Sequence, residues 1–452
     1  MKNYELLMVG FGSLGDIYPL IALADRLKRN RKVTFLANEY FRHHIDAAGI
    51  NYFPIGSIED QLAAKETGLV SGETVEGRRL RYENVIGKSY KITYDYIAGR
   101  ISEGVQLLVI THGNLSPAVM ACEAFNIPTI FTHYAPSQIM HNFEDAIFCE
   151  SFYSDHEWWV RYVKIPLQII KMKFGFEVQD QFNVHRKNLG LPPVLSHWEN
   201  WRQKFNFKKN KVTQSSMRVP IQIVMTPRWF CEPMDKSIED FQFAGFPFVK
   251  ESIGEQEMLI DSFINANGKP IVFTPGTAVE DVQAFVNEII PICRKLGSPG
   301  IFCSKHGKEA FDQLQKVDDV PLLYIEHAKF SHLLPKSRCL IHHGGIGTIA
   351  QAIRAGIPQI VRPRMYDQPS NSVRVMMFGL GGSIFPDLFH ADSVANILLH
   401  IENNPKNQEL LAYYSELVSN EDGVGNCCKI IEQLLETEEN KNAELIESCA
   451  AY

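Results

Sequence analysis

Between Arg338 and Asn371 the chain reads RCLIHHGGIGTIAQAIRAGIPQIVRPRMYDQPSN, an order of residues that few folds accommodate. Cys339-Leu340-Ile341 is a short apolar run suited to a buried strand. A polar, glycine-rich turn follows from His342 to Thr348, and Ile349 to Ala355 then has helical composition. Gly356 suits a left-handed helix cap and Pro358 cannot continue a helix, so the helix stops there. Gln359 to Val361 restarts a strand, which Pro363 ends. Three glycines just ahead of a helix let backbone N–H groups approach an anion, and the helix N-terminus adds partial positive charge. The stretch therefore predicts a strand–loop–helix–strand unit with a phosphate held at its loop.

The composition narrows what the rest of the chain can be. A length of 452 residues suggests two or three domains, and 45% hydrophobic with 21% charged residues is ordinary for a globular protein. A net charge of −7 argues against nucleic acid as a partner, because such binders carry a basic surface. Nine cysteines at irregular spacings, with no Cys-x-x-Cys, read as reduced thiols rather than a disulfide framework or a zinc site. Glu5 interrupts the first apolar run and a glycine-rich turn follows, which marks a core strand and not a signal peptide. No stretch reaches the ~20 apolar residues of a spanning helix. The expectation is a cytoplasmic protein, with peripheral contact at the inner face of a membrane left open.

Read in order, the chain opens as a doubly wound α/β domain. Tyr4–Val9 is a strand buried on both faces, Ile17, Leu20, Ile21, Ala24 and Leu27 recur at helical spacing, and Val33–Ala37 is the second strand. Gly10, Gly12 and Gly15 between them spell G-x-G-x-x-G, with Glu39 further on, which is the dinucleotide fingerprint. That signal supports a competing NAD- or FAD-dependent oxidoreductase. Ser57–Arg100 is polar and offers no firm strand. Leu107–Ile110 and Thr129–Thr132 read as buried strands, each followed at the sheet's carboxyl edge by a histidine, His112 and His133, both read as structural.

The segment His156–Asn210 gathers Trp158, Trp159, Trp198, Trp201, Lys204, Lys208 and Lys209, with Lys211 just beyond. Helices packing on the sheet with a solvated basic end explain it better than a greasy acceptor pocket or a lipid-docking face. Ile221–Met225 and Phe243–Phe248 supply the last strands of a first domain ending at 248, and Val249–Lys269 is a polar linker with one short helix. A second α/β unit starts with the strand Ile271–Phe273, the loop Thr274-Pro275-Gly276-Thr277 and a helical segment over Val282–Leu296. Leu322–Ile325 is a further strand, and Gly423–Leu435 has helical period.

The ordered string HHGGIGT, AGIPQIVRP and Tyr-Asp-Gln-Pro-x-Asn resembles the nucleotide-sugar motif of family 1 glycosyltransferases with the GT-B fold. The likeness extends through Pro270–Val279 and Ala244–Val249 to Gly12–Leu27. Its layout is closest to the rhamnosyltransferase B chain and is also similar to antibiotic and sterol glycosyltransferases. The resemblance implies an α/β architecture of two doubly wound Rossmann-like domains facing across a cleft. Residues 1–248 would bind the acceptor. Residues 249–452 would form a linker and the nucleotide-sugar domain, with the last helix packing back on the first domain. The implied reaction is inverting and metal-independent. A hexose passes from a UDP- or dTDP-sugar to a hydroxyl of a hydrophobic small-molecule acceptor such as a hydroxy-fatty acyl lipid, a polyketide, a terpenoid or a sterol.

Carried over residue by residue, the resemblance makes His342 the phosphate-binding histidine, with Gly345, Gly347 and Thr348 adding amide and hydroxyl donors, and rates His343 structural. Gly276 and Thr277 would approach the nucleotide phosphates, and Ala328 lies in the turn that holds the base. Asp367 and Gln368 match the acidic-Gln pair that bonds sugar hydroxyls. In plant relatives a histidine in the first loop is the catalytic base. Here Asp16 stands in that loop, as base or acceptor-positioning group, against the plainer reading of a helix-capping carboxylate. No Asp-x-Asp pair occurs, so amide and imidazole donors rather than a metal would stabilise the departing phosphate, and no cofactor is expected. A non-catalytic, transferase-like binding partner is the remaining alternative.

Overall fold

The computed structural model describes residues 4–71, 79–80, 82–112, 116–139, 176–193, 221–231, 241–248, 255–276, 282–305, 307–314, 319–364 and 367–450. They fall into two compact units, one drawn from 1–134, 156–249 and 422–452, the other from 135–155 and 250–421. Trp158, Trp159, Trp198, Trp201, Lys204, Lys208, Lys209 and Lys211 lie outside the described residues, as does Thr277.

The first unit is built on a seven-stranded sheet. Its strands are β1 (Glu5–Val9), β2 (Val33–Ala37), β3 (Asn51–Pro54), β4 (Leu107–His112), β5 (Thr129–His133), β6 (Ile221–Val224) and β7 (Phe241–Phe243). Their order is β3-β2-β1-β4-β5-β6-β7, and every neighbouring pair is parallel. All of β1 is buried, because helices cover both faces of a parallel sheet and no strand residue can stay polar for solvent. Leu7 and Val9 face a cluster with Leu36, Leu107, Val109, Ile97 and Ala121. The helix Leu14–Leu27 buries Ile17, Leu20, Ile21, Ala24 and Leu27, the set that the helical spacing predicts.

The long helix Gly423–Ala450 packs on that first helix. Arg31 reaches Glu432 at 2.6 Å and Glu439 at 3.2 Å, Arg26 meets Asp422 at 2.7 Å, and Asn426 Nδ2 donates to the Ala244 carbonyl at 2.9 Å. The sequence placed a strand over Phe243–Phe248, but the strand is Phe241–Phe243 and the chain runs on without pairing. Gly245 at a φ of +98° and Pro247, which has no N–H, prevent a ladder from continuing.

The second unit has a six-stranded parallel sheet of β8 (Ile271–Thr274), β9 (Gly300–Cys303), β10 (Leu322–Ile325), β11 (Cys339–His342), β12 (Gln359–Val361) and β13 (Gly381–Ser383). Its order is β10-β9-β8-β11-β12-β13. Alternate residues serve opposite faces, as strand geometry requires. Ile271, Phe273, Phe302, Cys339 and Ile341 join one core with the helix Ile289–Leu296, while Val272, Ile301, Cys303 and Leu340 join the other with Ile260 and Ala352. The single helix expected over Val282–Leu296 is two, Val282–Asn287 and Ile289–Leu296. Pro291 has no N–H to give the Asn287 carbonyl, and its ring crowds that carbonyl, so the first helix ends there.

In both sheets the strand order reverses between the first strand of the unit and its fourth, β1/β4 and β8/β11. At such a reversal the connections leave in opposite directions, and a crevice opens at the carboxyl ends of the strands. No helix among the described residues is long and apolar enough to cross a membrane.

Candidate functional site

In the second unit the glycine-rich loop follows β11, and the helix Ile346–Ala355 begins within it, three residues earlier than its composition suggests. Gly345 is the residue ahead of the helix and Gly356 ends it in the left-handed region, with φ of +67°. Gly347 is exposed and Thr348 half-buried in the first turn, where the Thr348 N–H is given to the Gly345 carbonyl at 3.0 Å. Across the strand reversal, Gly276 follows β8 with φ of +86°. A Cβ on Gly276 would lie 2.7 Å from His343 Nδ1, and one on Gly345 would lie 2.6 Å from His343 Nε2. The His343 imidazole thus occupies the space beside both glycines.

His342 is differently placed. It is fully buried, its Nε2–H donates to Gln359 Oε1 at 3.0 Å, and its Nδ1 accepts from the Gly344 N–H at 3.1 Å. Burial, with His343 adjacent, pushes its pKa down to about 3, and burial pushes His343 down to about 4. Both rings are therefore neutral near pH 7. The ring that the sequence assigned to phosphate has both nitrogens committed to the fold, and the ring rated structural lies against the glycines.

Asp367 precedes the helix Gln368–Met377. Its Oδ2 accepts from Asn371 Nδ2 at 2.7 Å, and the same amide donates to the Gly344 carbonyl at 3.0 Å. Gln368 Oε1 accepts the Arg364 N–H at 2.9 Å, closing the turn ahead of the helix. Asn371, wholly buried, thus joins the acidic-Gln pair to the glycine loop. It stood in the quoted motif without a role, although its spacing from Asp367, one helical turn, brings the two side chains together. Ala328 is half-buried in the turn after β10 and packs on the core beside Cys303 and Leu333.

In the first unit the loop after β1 is closed by its own carboxylate. Asp16 Oδ2 accepts from the Ser13 N–H at 2.7 Å and from Ser13 Oγ at 2.8 Å. Ser13 is the capping residue, and Asp16, third in the helix, reaches back to it. Gly12 is required there, since a Cβ on it would lie 2.6 Å from Asp16 Oδ2. Gln61 Nε2 braces the loop by donating to the Gly12 carbonyl at 2.7 Å. Across the strand reversal, His112 at the end of β4 places Nε2 3.5 Å from Asp16 Oδ1. Its ring stacks on Tyr134 with centroids 4.6 Å apart and 6° between planes. His133 is tied to Gln222 Oε1 at 2.7 Å and lies edge-on to Phe241, a structural role.

Among the described residues no three His, Cys, Asp or Glu side chains converge as metal ligands would, and the described cysteines are free thiols.

Residues 311–421, which include both histidines of the loop and the Asp367-Gln368 pair, match the C-terminal domain family described as erythromycin biosynthesis protein CIII-like. The chain is 25% identical over 387 residues to glycosyltransferase GtfC of Amycolatopsis orientalis, covering 83% of this chain and 85% of that one. It is 23% identical over 451 residues to sterol 3-beta-glucosyltransferase UGT80A2 of Arabidopsis thaliana, covering 94% of this chain and 64% of the relative. The glycosyltransferase VinC, solved in complex with dTDP, superposes with a TM-score of 0.64 at 16% identity over 96% of this chain and 100% of its own. That structural likeness carries the GT-B fold, two α/β units each with a parallel sheet.

Proposed function

We propose, from the premise that this chain belongs to the family 1 glycosyltransferases of the GT-B fold, that it transfers a hexose from a UDP- or dTDP-sugar to a hydroxyl of a hydrophobic small molecule with inversion at the anomeric carbon. The observation that carries this reading is the imidazole of His343 set against Gly276 and Gly345 at the strand reversal of the second unit, beside a helix N-terminus. Such a constellation offers amide N–H groups and a helix dipole to the diphosphate, where negative charge grows as the glycosidic bond breaks, beside a neutral ring whose own hydrogen bond goes to the Thr274 backbone. Donors aimed at that charge do the work a metal does elsewhere, so the reaction is proposed to need none. Gly347 and Thr348 add donors to the phosphates, Asp367 and Gln368 contact sugar hydroxyls, and Ala328 lies in the turn that receives the base.

Asp16 serves the acceptor as base or positioning group. Its capping bonds and that role coexist, because the Ser13 donors occupy Oδ2 and leave Oδ1 to other partners. The same bonds count against an oxidoreductase. The Ser13 N–H, which a dinucleotide pyrophosphate would need in the loop Gly10–Gly15, is already given to the chain's own carboxylate. The likeness to an erythromycin-biosynthesis family and to a sterol glucosyltransferase supports a hydrophobic acceptor such as a polyketide or a sterol.

A thermal-shift panel of UDP, dTDP, GDP, NAD⁺ and FAD, each with and without EDTA, tests the reading, since a ligand that binds only the folded chain raises its melting temperature. Stabilisation by UDP or dTDP that survives EDTA is the expected result and names the nucleotide. Stabilisation by NAD⁺ or FAD alone would overturn it.

A further inference from the structure

We infer that the proton of the acceptor hydroxyl ends on Nε2 of His112, with Asp16 as the carboxylate that holds and stabilises the imidazolium. The inference rests on the transferase reading and deepens it: an imidazole missing from the first loop is supplied by a different strand.

The geometry assigns the tautomer. His112 Nδ1 lies 3.3 Å from the Thr132 carbonyl oxygen, which can only accept, so Nδ1 carries the hydrogen. In the neutral ring Nε2 is then a bare lone pair, and it faces Asp16 Oδ1 at 3.5 Å. A proton delivered to Nε2 during the reaction therefore has the Asp16 carboxylate as its acceptor on the far side. Asp16 Oδ2 is already occupied by two hydrogen bonds from Ser13, which leaves Oδ1 to face the ring. The ring cannot swing away: Tyr134 stacks on it and Phe11 lies 5.7 Å off in a tilted contact. The Tyr134 hydroxyl, kept protonated by burial, accepts from Thr132 Oγ1 and does not compete for the proton. His112 keeps 16% of its side chain exposed and Asp16 27%, so a hydroxyl can reach the couple.

The step balances without a further reactant. The hydroxyl oxygen bonds to the anomeric carbon as the bond from that carbon to the β-phosphate oxygen breaks. The electron pair leaves on the nucleoside diphosphate, and the hydroxyl proton moves to His112 Nε2. The imidazolium rests between the Asp16 carboxylate and the Thr132 carbonyl until water removes its proton.

Two measurements on the full chain test this. Nitrogen NMR of ¹⁵N-histidine protein reads the neutral tautomer of His112 directly, without any acceptor. Hydrogen on Nδ1 is expected, and hydrogen on Nε2 would make Asp16 the terminal base and overturn the inference. The second is nucleotide release from UDP-glucose and dTDP-glucose into water, with His112→Gln and Asp16→Asn compared with the parent. The expected result is a loss of about 100-fold or more in both variants, with stabilisation by UDP or dTDP retained. Undiminished release by His112→Gln would sink the inference while leaving the transferase reading intact. Absence of any UDP or dTDP stabilisation in the parent would remove both.

Discussion

The ring of His343 stands where a side chain on Gly276 would have to go, 2.7 Å from the position of its Cβ. Gly276→Ala therefore displaces the imidazole and forces alanine into a φ of +86°, which costs on the order of 1–2 kcal/mol. Calorimetric titration with UDP and dTDP should show affinity weakened by about tenfold, the amount that such a free-energy cost transmits to a ligand that needs the native loop. An unchanged affinity would remove His343 from the phosphate site.

The two adjacent histidines should separate cleanly. His342→Asn removes a buried ring with two hydrogen bonds and should cost roughly 1–3 kcal/mol in urea unfolding. His343→Asn should lower the unfolding midpoint less than His342→Asn does and should weaken nucleotide binding. The reverse pattern would restore the assignment that the sequence suggested.

Asn371→Ala should raise the KM for the sugar donor more than it lowers kcat. The buried amide holds both the Asp367 carboxylate and the Gly344 carbonyl, so its loss lets the groups proposed to bind sugar and phosphate move independently. The associated stability loss is expected at about 1–3 kcal/mol. Asn371→Asp, which sets a second carboxylate against Asp367, should be worse than alanine in both respects. Steady-state kinetics across donor concentrations, with a melting curve for each variant, check the order.

Acid should destabilise the fold early. Burial lowers His342 from 6.5 to about 3 and His343 from 6.5 to about 4, so the unfolded chain binds these protons first. Stability is then full above about pH 6.5 and falls as pH drops from there toward 4. Glu5, pushed up by burial but pulled further down by Arg100, Thr34 and Lys32, adds a loss only once pH falls below 4.5. Urea unfolding at pH 7, 6 and 5 should show the decline in the parent and a shallower one in His342→Asn. Parallel slopes would mean that His342 is not held neutral.

The strands with apolar runs were legible, because parallel sheets bury both faces and leave an unbroken hydrophobic string. Val33–Ala37 and Leu322–Ile325 fall where their residues put them. The strand Gly381–Ser383 carries no such signal. A Cβ on Gly381 would lie 1.9 Å from the Gln359 carbonyl oxygen, so the position selects for having no side chain. Composition cannot announce a strand on those terms. The glycine loop was legible as a chemical unit, but the facing of its histidines was not. His342 is the last residue of β11 and His343 the first beyond it, so where the strand ends decides which ring is enclosed. The couple of Asp16 and His112, 96 positions apart, was beyond sequence reach for another reason. Only the reversal of strand order between β1 and β4 brings the two loops together.

The helix Gly423–Ala450 that covers Leu14–Leu27 is made only after the whole of the second unit. The residues of the second unit that precede it take on the order of ten seconds or more to synthesise. Throughout that time Arg26 on the first helix and Arg31 just beyond it lack Asp422 and Glu432. A chain cut before Asp422 would lack the ion pairs to Arg26 and Arg31 and the Asn426 bond to the Ala244 carbonyl. Translation order thus sets when the first unit can be completed, because one of its helices is encoded beyond the second unit.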